Sequence, residues 1–189
     1  MNENKVDRRV KYTKMVLRQS LLELMKEQPI NKITTTELCR HADINRNTFY
    51  THYSSPGDLL SQIENELFAE INQSFVRSMK AETISTLLLE IFQVIIKNED
   101  LCKILFSEFG DKVFLKRIMY IAHDRCLEEW GTMVPGAEID QLEKAYTFTA
   151  NGCVGVIEAW IQDGLEESPQ EIARFINEIS SNGLQTFLS

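Results

Sequence analysis

Apolar and polar positions between residues 33 and 53 follow the spacing of two short helices. Thr34 and Glu37 stand at the cap and third helical position of the first, which predicts a capping box in which each side chain satisfies the other's free backbone N–H. Asn45, eleven residues later, takes the cap position of the second. The pattern therefore predicts two helices of about two turns, each flanked by an apolar staple pair, Ile33 with Leu38 and Ile44 with Phe49.

The second of these helices has an apolar side and a polar side. Phe49 and Tyr53, four residues apart, are predicted to point to the core. The opposite side is polar and suits base edges, because Arg can pair with guanine, Asn with adenine, and a Thr methyl can touch the thymine methyl. The Tyr50, His52 and Thr34–Thr36 side chains suit phosphate oxygens. The residues on the outward face are Arg46, Asn47, Tyr50 and Thr51, although such helix pairs are also common corners in helical bundles.

Charge is distributed unevenly along the chain. Residues 1–54 carry ten Lys or Arg against six Asp or Glu, a net of +4, and residues 55–189 carry ten against twenty-two, a net of −12, which together give the whole-chain value of −8. A basic pole on an acidic protein predicts a local footprint for a polyanion. The cations that lead into the first helix could neutralise phosphates without reading sequence, and they are Lys5, Arg8, Arg9, Lys11 and Lys14.

The segment from Tyr12 to Leu60 resembles the DNA-binding domain of the TetR family of bacterial regulators, above all in the run from Thr48 to Tyr53 followed by Leu59 and Leu60. The resemblance implies a three-helix domain whose second short helix enters the major groove of operator DNA. It also implies an effector-binding core and a homodimer. By position, it assigns DNA contact to Thr35, Thr36, Arg46, Asn47, Tyr50, Thr51 and His52.

Two positions depart from the family pattern. Asp43 stands in the turn where many members have Gly, and Asp can also adopt a left-handed backbone. Pro56 stands where many members carry a basic residue at the start of the fourth helix. The sequence thus predicts an all-α fold, with a helix-turn-helix DNA-binding domain at 1–54 joined by a long helix to a helical effector-binding and dimerisation domain at 55–189.

Composition limits the other functional classes. The 189 residues are 43% apolar and 25% charged, with three histidines and four cysteines, in the ordinary globular range. We identify no signal peptide, membrane-spanning run, glycine-rich phosphate loop or histidine-rich metal site. A cytoplasmic protein that is not an enzyme, without cofactor or metal, is therefore expected. The cysteines fit buried, reduced thiols better than redox sensors, and they are Cys39, Cys102, Cys126 and Cys153.

Residues beyond the first domain read as helical, with only four prolines and eight glycines in the whole chain and no strand-like alternation. A cap with proline at the first helical position opens a long helix at Ser55. Ser168 to Glu171 combine the same signal with a capping box. The predicted helices run from Ser55 to about Lys80, Thr83 to Lys97, Asp100 to Ser107, Asp111 to Trp130, Asp140 to Gly164, and Ser168 to Phe187.

The last two helices carry the prediction of a dimer. Apolar residues between Leu142 and Ile161 appear on nearly every helix face, which indicates burial on all sides. A stripe of small side chains there would let another helix approach, and one face is assigned to a twofold partner. A central core helix in a monomer would show the same pattern. The predicted interface residues are Phe148, Gly152, Gly155, Ala159, Ile176 and Ile179.

The sequence leaves two alternatives for the partner that controls the protein, a small molecule or another protein. Residues 148–172 resemble a TetR subgroup that includes regulators of dihydroxyacetone kinase operons, through Asn151 to Gly155, Glu158 to Trp160 and Glu167 to Pro169. This resemblance implies that the controlling partner could be a protein instead of a small molecule. An effector pocket, if one is present, is predicted among the middle helices. Its candidate residues, each of which could equally be core, are Phe92, Phe106, Phe109, Tyr120, His123 and Trp130.

Together these features favour a homodimeric DNA-binding regulator, a repressor that is released from a roughly palindromic operator by an effector bound in the C-terminal core. One alternative is an activator or co-regulator controlled by a protein partner. A further alternative, from another class, is an all-helical protein-interaction module that does not bind DNA.

Overall fold

The computed structural model describes the backbone of residues 3–78 and 84–188, and every regular element within them is helical. The predicted all-α class is confirmed. Two short 3-10 helices, Ile30–Lys32 and Tyr120–Ala122, interrupt the α-helical order. Within the described residues the α-helices are α1 (Glu3–Met25), α2 (Thr35–His41), α3 (Arg46–Tyr50), α4 (Pro56–Ser78), α5 (Ile84–Lys97), α6 (Glu99–Leu105), α7 (Lys112–Met119), α8 (His123–Met133), α9 (Ile139–Gln162) and α10 (Pro169–Leu188).

The chain divides into two compact units. The first comprises Met1–Leu67 with Ser107–Gly110, and the second comprises Phe68–Phe106 with Asp111–Ser189. The division falls inside α4, whereas the boundary expected after residue 54 lies just before that helix. The first part of α4 belongs to the first unit because its apolar residues Leu59, Leu60 and Ile63 are buried there.

The first unit is held together by an apolar core between its helices. Leu17 and Leu21 of α1, Leu38 of α2 and Phe49 of α3 have no exposed surface. Burial of each such side chain stabilises the folded state by about 1.5–3 kcal/mol through the hydrophobic effect. At the edge of this core the Arg18 guanidinium donates to the Glu66 carboxylate across 2.6 Å, joining α1 to α4.

Helix α2 begins with half of the predicted capping box. The Thr34 hydroxyl accepts the backbone N–H of Glu37 at 3.1 Å, as expected from the sequence. The Glu37 carboxylate, however, accepts from the side-chain amide of Gln28 at 3.0 Å, so the reciprocal bond predicted for it is replaced. Gln28 lies nine residues earlier in the chain, and this contact therefore also ties α2 to the loop that follows α1.

A left-handed residue joins α2 to α3. Asp43 has φ of 52°, the conformation anticipated from its place in the turn. The N–H of Ile44 donates to the carbonyl of Cys39 at 2.9 Å, and that of Asp43 donates to the carbonyl of Arg40 at 3.4 Å. This pair of bonds is a Schellman motif, which satisfies the last carbonyls of α2 while it turns the chain into α3.

The second unit is built on α9 and α10. Phe92 of α5 packs against Trp160 of α9 with ring centroids 5.2 Å apart, and the Trp160 indole donates to the Glu167 carbonyl at 2.9 Å. Helix α10 starts with the predicted reciprocal cap, in which Ser168 N donates to the Glu171 carboxylate at 2.9 Å and Glu171 N donates to the Ser168 hydroxyl at 3.3 Å. A second apolar cluster unites Cys126, Trp130, Leu142 and Tyr146.

The single helix predicted from Asp111 to Trp130 is wrong, because the chain breaks it into α7, a 3-10 turn and α8. The N–H of His123 donates to the Tyr120 carbonyl, three residues back, instead of to Met119. The Met119 carbonyl accepts the hydroxyl of Tyr146 on α9. A hydrogen bond from another helix therefore takes the place of the bond that would have continued α7.

The other predicted helix ends lie within about two residues of those in the structure, the margin to which helix ends are defined. Lys80 and Thr83, the expected end of one helix and start of the next, lie outside the described residues. None of the described helices is long and apolar enough to cross a bilayer.

The four cysteines are free thiols, as predicted. Cys39, Cys102 and Cys126 are buried and Cys153 is half-buried. Burial raises the pKa of Cys102 and Cys126 to about 12 and that of Cys153 to about 11. These thiols stay protonated at neutral pH, so they pack as small apolar side chains.

The turn at Asp43 gives a test of backbone strain. Asp43→Val should lower the free energy of unfolding by about 1–2 kcal/mol, because a β-branched residue resists the left-handed conformation. The free energy of unfolding of Asp43→Gly should stay within about 1 kcal/mol of the parent value, since Gly adopts positive φ freely but loses more conformational entropy on folding. Urea denaturation measures both. Asp163→Val, at an exposed position with φ of −76°, is the control, and an equal loss there would contradict a left-handed penalty at Asp43.

Candidate functional site

Helix α3 presents a polar face to solvent and an aromatic face to the core. Arg46, Asn47, Tyr50 and Thr51 are exposed, whereas Phe49 has no exposed surface. Tyr53 is also buried, with its ring 5.7 Å from that of Phe49. The inward orientation expected for these two aromatics is therefore confirmed, and the four candidate DNA-contact residues of α3 and its C-cap share one accessible surface.

The ends of α3 are fixed by local hydrogen bonds. The Asn45 side chain accepts the backbone N–H of Asn47 at 2.8 Å, which caps the first turn as predicted. At the other end the Thr51 hydroxyl donates to the Thr48 carbonyl at 2.6 Å. A helix of five residues is marginal by itself, so these caps and the buried Phe49 ring determine its position.

The remaining candidate contacts surround α3. Thr36 is exposed at the start of α2, and Thr35 and His52 are half-buried. The Thr35 side chain hydrogen-bonds to Tyr50, and Arg46 hydrogen-bonds to the same tyrosine; together these bonds lower the pKa of Tyr50, with the Arg46 bond the larger cause. The start of α2 and the outward face of α3 therefore form one continuous polar surface.

Several cations lie on the same unit. Arg8, Arg9 and Lys14 are exposed along α1, while the side chain of Lys5 lies outside the described residues. Arg40, in the last turn of α2, is also exposed. We did not select it from the sequence; its charge in a short capped helix beside the turn was the available signal.

The six residues proposed for an effector pocket occupy different surroundings. Phe92 and Phe106 are buried in the second unit, whereas Phe109 belongs to the short segment of the first unit. Tyr120 is 67% exposed. The remaining two lie around one ring of α9, because Tyr146 contacts His123 edge-on at 4.7 Å and Trp130 at 6.0 Å. The structure thus places His123 and Trp130 against Tyr146, and Tyr120 packs on His123 with ring centroids 5.4 Å apart.

His123 sits between two carboxylates. Its Nδ1 lies 2.8 Å from the Asp124 carboxylate and its Nε2 lies 2.9 Å from the Glu143 carboxylate on α9. Only the imidazolium can donate from both nitrogens. These hydrogen bonds, first to Glu143 and then to Asp124, raise the pKa of His123. The contact is a charge-assisted link between the start of α8 and the side of α9.

An apolar cavity lies between α9 and α10. Its volume is about 670 Å³, comparable to that of small-molecule sites. Phe148, Phe175 and Ile179 remain 81%, 49% and 57% exposed along these two helices. The lining, which includes several residues not selected from the sequence, is Lys144, Ala145, Phe148, Thr149, Gly152, Cys153, Val156, Phe175, Ile176, Ile179, Ser180 and Gly183. The i, i+4, i+8 spacing of Phe175, Ile179 and Gly183 was a signal for this face.

The residues predicted for a dimer interface divide between this surface and the core. Phe148, Gly152, Gly155, Ala159 and Ile179 are exposed. Ile176, in contrast, is 5% exposed and lines the floor of the cavity. A Cβ added at either glycine would meet nothing within 4 Å. The packing of this subunit therefore does not require glycine at 152 or 155.

Within the residues that the structure describes, no group of three or more His, Cys, Asp or Glu side chains is placed to hold a metal ion.

Comparison with known proteins establishes the family. A TetR C-terminal family, described as transcriptional regulator C-terminal region, matches residues 82–182, more than half of the chain. The chain belongs to the TetR family of transcriptional regulators. It is also 36% identical over 70 residues to the HTH-type transcriptional regulator YxbF of Bacillus subtilis (strain 168), and this match covers 36% of the chain but only 18% of that relative.

Solved structures share the fold of this TetR-family chain. A TetR transcriptional regulator from Streptococcus agalactiae 2603V aligns with a TM-score of 0.65 at 19% identity, over 92% of this chain and 96% of that one. The dihydroxyacetone kinase operon activator DhaS aligns with a TM-score of 0.57 at 17% identity, over 94% of this chain and 98% of that one. The fatty acid degradation regulator FadR from Bacillus halodurans aligns with a TM-score of 0.65 at 11% identity, over 91% of this chain and 96% of that one. At these identities the likeness concerns the fold alone.

The His123 contact of this TetR-family protein predicts a pH-dependent stability. Because the folded-state pKa of His123 is raised, its contribution is fully present below the unfolded pKa of about 6.5 and is lost as pH rises through the folded value. His123→Gln should therefore be most destabilising near pH 5.5 and least above pH 8. Urea denaturation of both proteins across this range measures the difference. A gap that widens with rising pH would contradict the assignment.

Proposed function

We propose that this chain is a homodimeric repressor that binds operator DNA through α3 and is released when an effector occupies the C-terminal core. The observation that carries the proposal is the exposed polar face of α3 above the buried Phe49 ring. Arg46 and Asn47 provide donors and acceptors suited to base edges, and Thr51 provides a hydroxyl and a methyl. The net charge of +4 in residues 1–54 supports a polyanionic partner.

The shape of this surface supports the major groove as its docking site. A short helix fits a groove about 12 Å wide, where each base pair presents a distinct pattern of donors and acceptors. The proposed contact residues beside α3 serve the backbone, because Thr35, Thr36 and His52 carry groups that suit phosphate oxygens. The exposed cations of α1 and Arg40 would add affinity that does not depend on sequence.

The α9–α10 surface supports a twofold dimer. An apolar side chain as exposed as Phe148, beside Phe175 and Ile179, favours coverage by another subunit. Gly152 and Gly155 support the same proposal, because glycine inside a helix costs about 1 kcal/mol relative to alanine and neither position is crowded within this subunit. A partner helix that approaches closely would account for both glycines. The dimer would hold two copies of α3 at the spacing of half-sites about 34 Å apart, or a small multiple.

The proposal also states whether the protein represses or activates transcription and what controls it. In a cytoplasmic repressor, effector binding in the second unit would favour a dimer whose two α3 helices no longer fit successive grooves. The aromatic side chains of His123 and Trp130 around Tyr146 support an input in this unit. DhaS, which shares the fold, is an activator, so the alternative is activation through a protein partner. Reporter expression with and without this gene distinguishes the two signs.

Loss of the Arg46 side chain tests DNA binding. Arg46→Ala should weaken binding to operator fragments, selected from genomic DNA with the parent protein, by about 5- to 150-fold, the value of one bidentate Arg–guanine contact of about 1–3 kcal/mol. Fluorescence anisotropy at fixed salt measures the change. Lys112→Ala, which removes an exposed cation of α7, is the matched control and should bind like the parent. Equal affinity for parent and Arg46→Ala would remove α3 from the interface.

A charge at position 148 tests the dimer. Phe148→Glu should convert the dimer to a monomer, since it places two carboxylates, one from each subunit, in an apolar interface. Sedimentation velocity measures the change in mass. Val113→Glu is the control, because Val113 is 68% exposed on α7 outside the α9–α10 surface. A parent protein that sediments as a monomer, or a Phe148→Glu variant that stays dimeric, would contradict the proposed interface.

A further inference from the structure

Arg46 and Tyr50 form a pair on the outward face of α3. They are the first and last residues of the helix, and a spacing of four places them side by side. The Arg46 Nη2 lies 3.5 Å from the Tyr50 hydroxyl. The guanidinium carbon lies 5.9 Å from the centre of the Tyr50 ring, within the range of a cation–π contact.

Tyr50 is itself tied to the rest of the first unit. Its ring meets the Phe49 ring edge-on, with centroids 5.5 Å apart and an interplanar angle of 79°, and Phe49 is completely buried. Its hydroxyl also hydrogen-bonds to Thr35 at the start of α2. The phenol is thus held by both α2 and α3, whose exposed residues form the continuous polar surface, although about half of the Tyr50 side chain, 49%, is exposed.

The sequence suggested a phosphate contact for Tyr50, but the geometry points to a different role. We infer that Tyr50 is a positioning residue that holds the Arg46 guanidinium ready for a guanine edge, and that Thr35 supports it from α2. This inference rests on the proposed operator binding. A free arginine side chain samples many rotamers, so an arginine that is already oriented loses less conformational entropy on binding.

The two roles of Tyr50 make different predictions about specificity and salt. A positioning residue affects the preference for guanine at the base pair read by Arg46. It leaves the number of neutralised phosphates unchanged. A phosphate contact weakens binding to all sequences alike and, when removed, reduces the salt slope of log K by up to about 1. Base preference and salt slope therefore separate the alternatives even when the loss of affinity is the same.

Tyr50→Phe is the decisive variant, because it keeps the ring and removes only the hydroxyl. Operator affinity should fall roughly three- to tenfold, the scale of one hydrogen bond. Replacement of the guanine should then cost the variant less than it costs the parent, and the salt slope should be unchanged. In an Arg46→Ala background, Tyr50→Phe should have no further effect, as expected for two residues that act as one unit.

Three comparisons complete the experiment. Tyr12→Phe removes the hydroxyl of a tyrosine that is 62% exposed on α1 and should change neither readout. Thr35→Val removes the other hydroxyl partner of Tyr50 and should shift base preference in the same direction. Circular dichroism establishes that each variant is folded, and a Tyr50→Phe protein that does not fold would contradict a positioning role, because only an exposed hydroxyl is removed.

The outcomes also separate this inference from the proposal on which it rests. A parent protein without specific, salt-sensitive DNA binding would contradict the proposed function. If the parent binds specifically but Tyr50→Phe lowers the salt slope and leaves the guanine preference unchanged, the proposed function stands and the positioning role is wrong. Independent, additive effects of Arg46→Ala and Tyr50→Phe would lead to the same conclusion.

Discussion

Burial of the Phe49 ring is the constraint on which the polar surface of α2 and α3 depends. Helix α3 has only five residues, too few to be stable in isolation, and its orientation follows from the side that it buries. With Phe49 directed inward and Tyr53 packed beside it, the opposite side of the helix, which carries Arg46, Asn47 and Tyr50, faces solvent. The candidate base-contacting groups are therefore presented by the packing of a residue that would not itself touch DNA.

The second unit has a helix with two different sides. Helix α9 packs through Tyr146, Ile157 and Trp160 into its own subunit, and it leaves Phe148 and its glycines outward. The sequence shows apolar residues on nearly every face of α9, but packing within one chain buries only part of its circumference. This difference between the two sides is the physical basis for the proposed dimer, which would cover the remaining part.

Local chemistry made much of this fold predictable. The cap at Asn45, the reciprocal cap at Ser168 and the left-handed turn at Asp43 each depend on residues within a few positions of one another, and the sequence predicted all three. The orientation of Phe49 and Tyr53 followed from spacing in the same way. The candidate site on α3 could therefore be proposed from sequence to the level of individual side chains.

Features that depend on distant contacts were not predictable in this way. Glu37 takes Gln28 as its partner, and Met119 gives its carbonyl to Tyr146, twenty-seven residues later. Neither contact leaves a signal in the local pattern, so the expected capping box and the continuous helix from residue 111 were wrong in part. The cavity between α9 and α10 likewise depends on how two helices pack, which spacing along either one does not specify.

The bond from Tyr146 to Met119 has a mechanical consequence. It occupies a backbone carbonyl at the corner between α7 and α8, beside the rings of Tyr120 and His123. Separating the corner from α9 would leave this carbonyl and the buried phenol without partners, at a cost of about 1–3 kcal/mol for each group. The α7–α8 corner and α9 are thus coupled, so that a displacement of the corner would also displace the helix that carries Phe148.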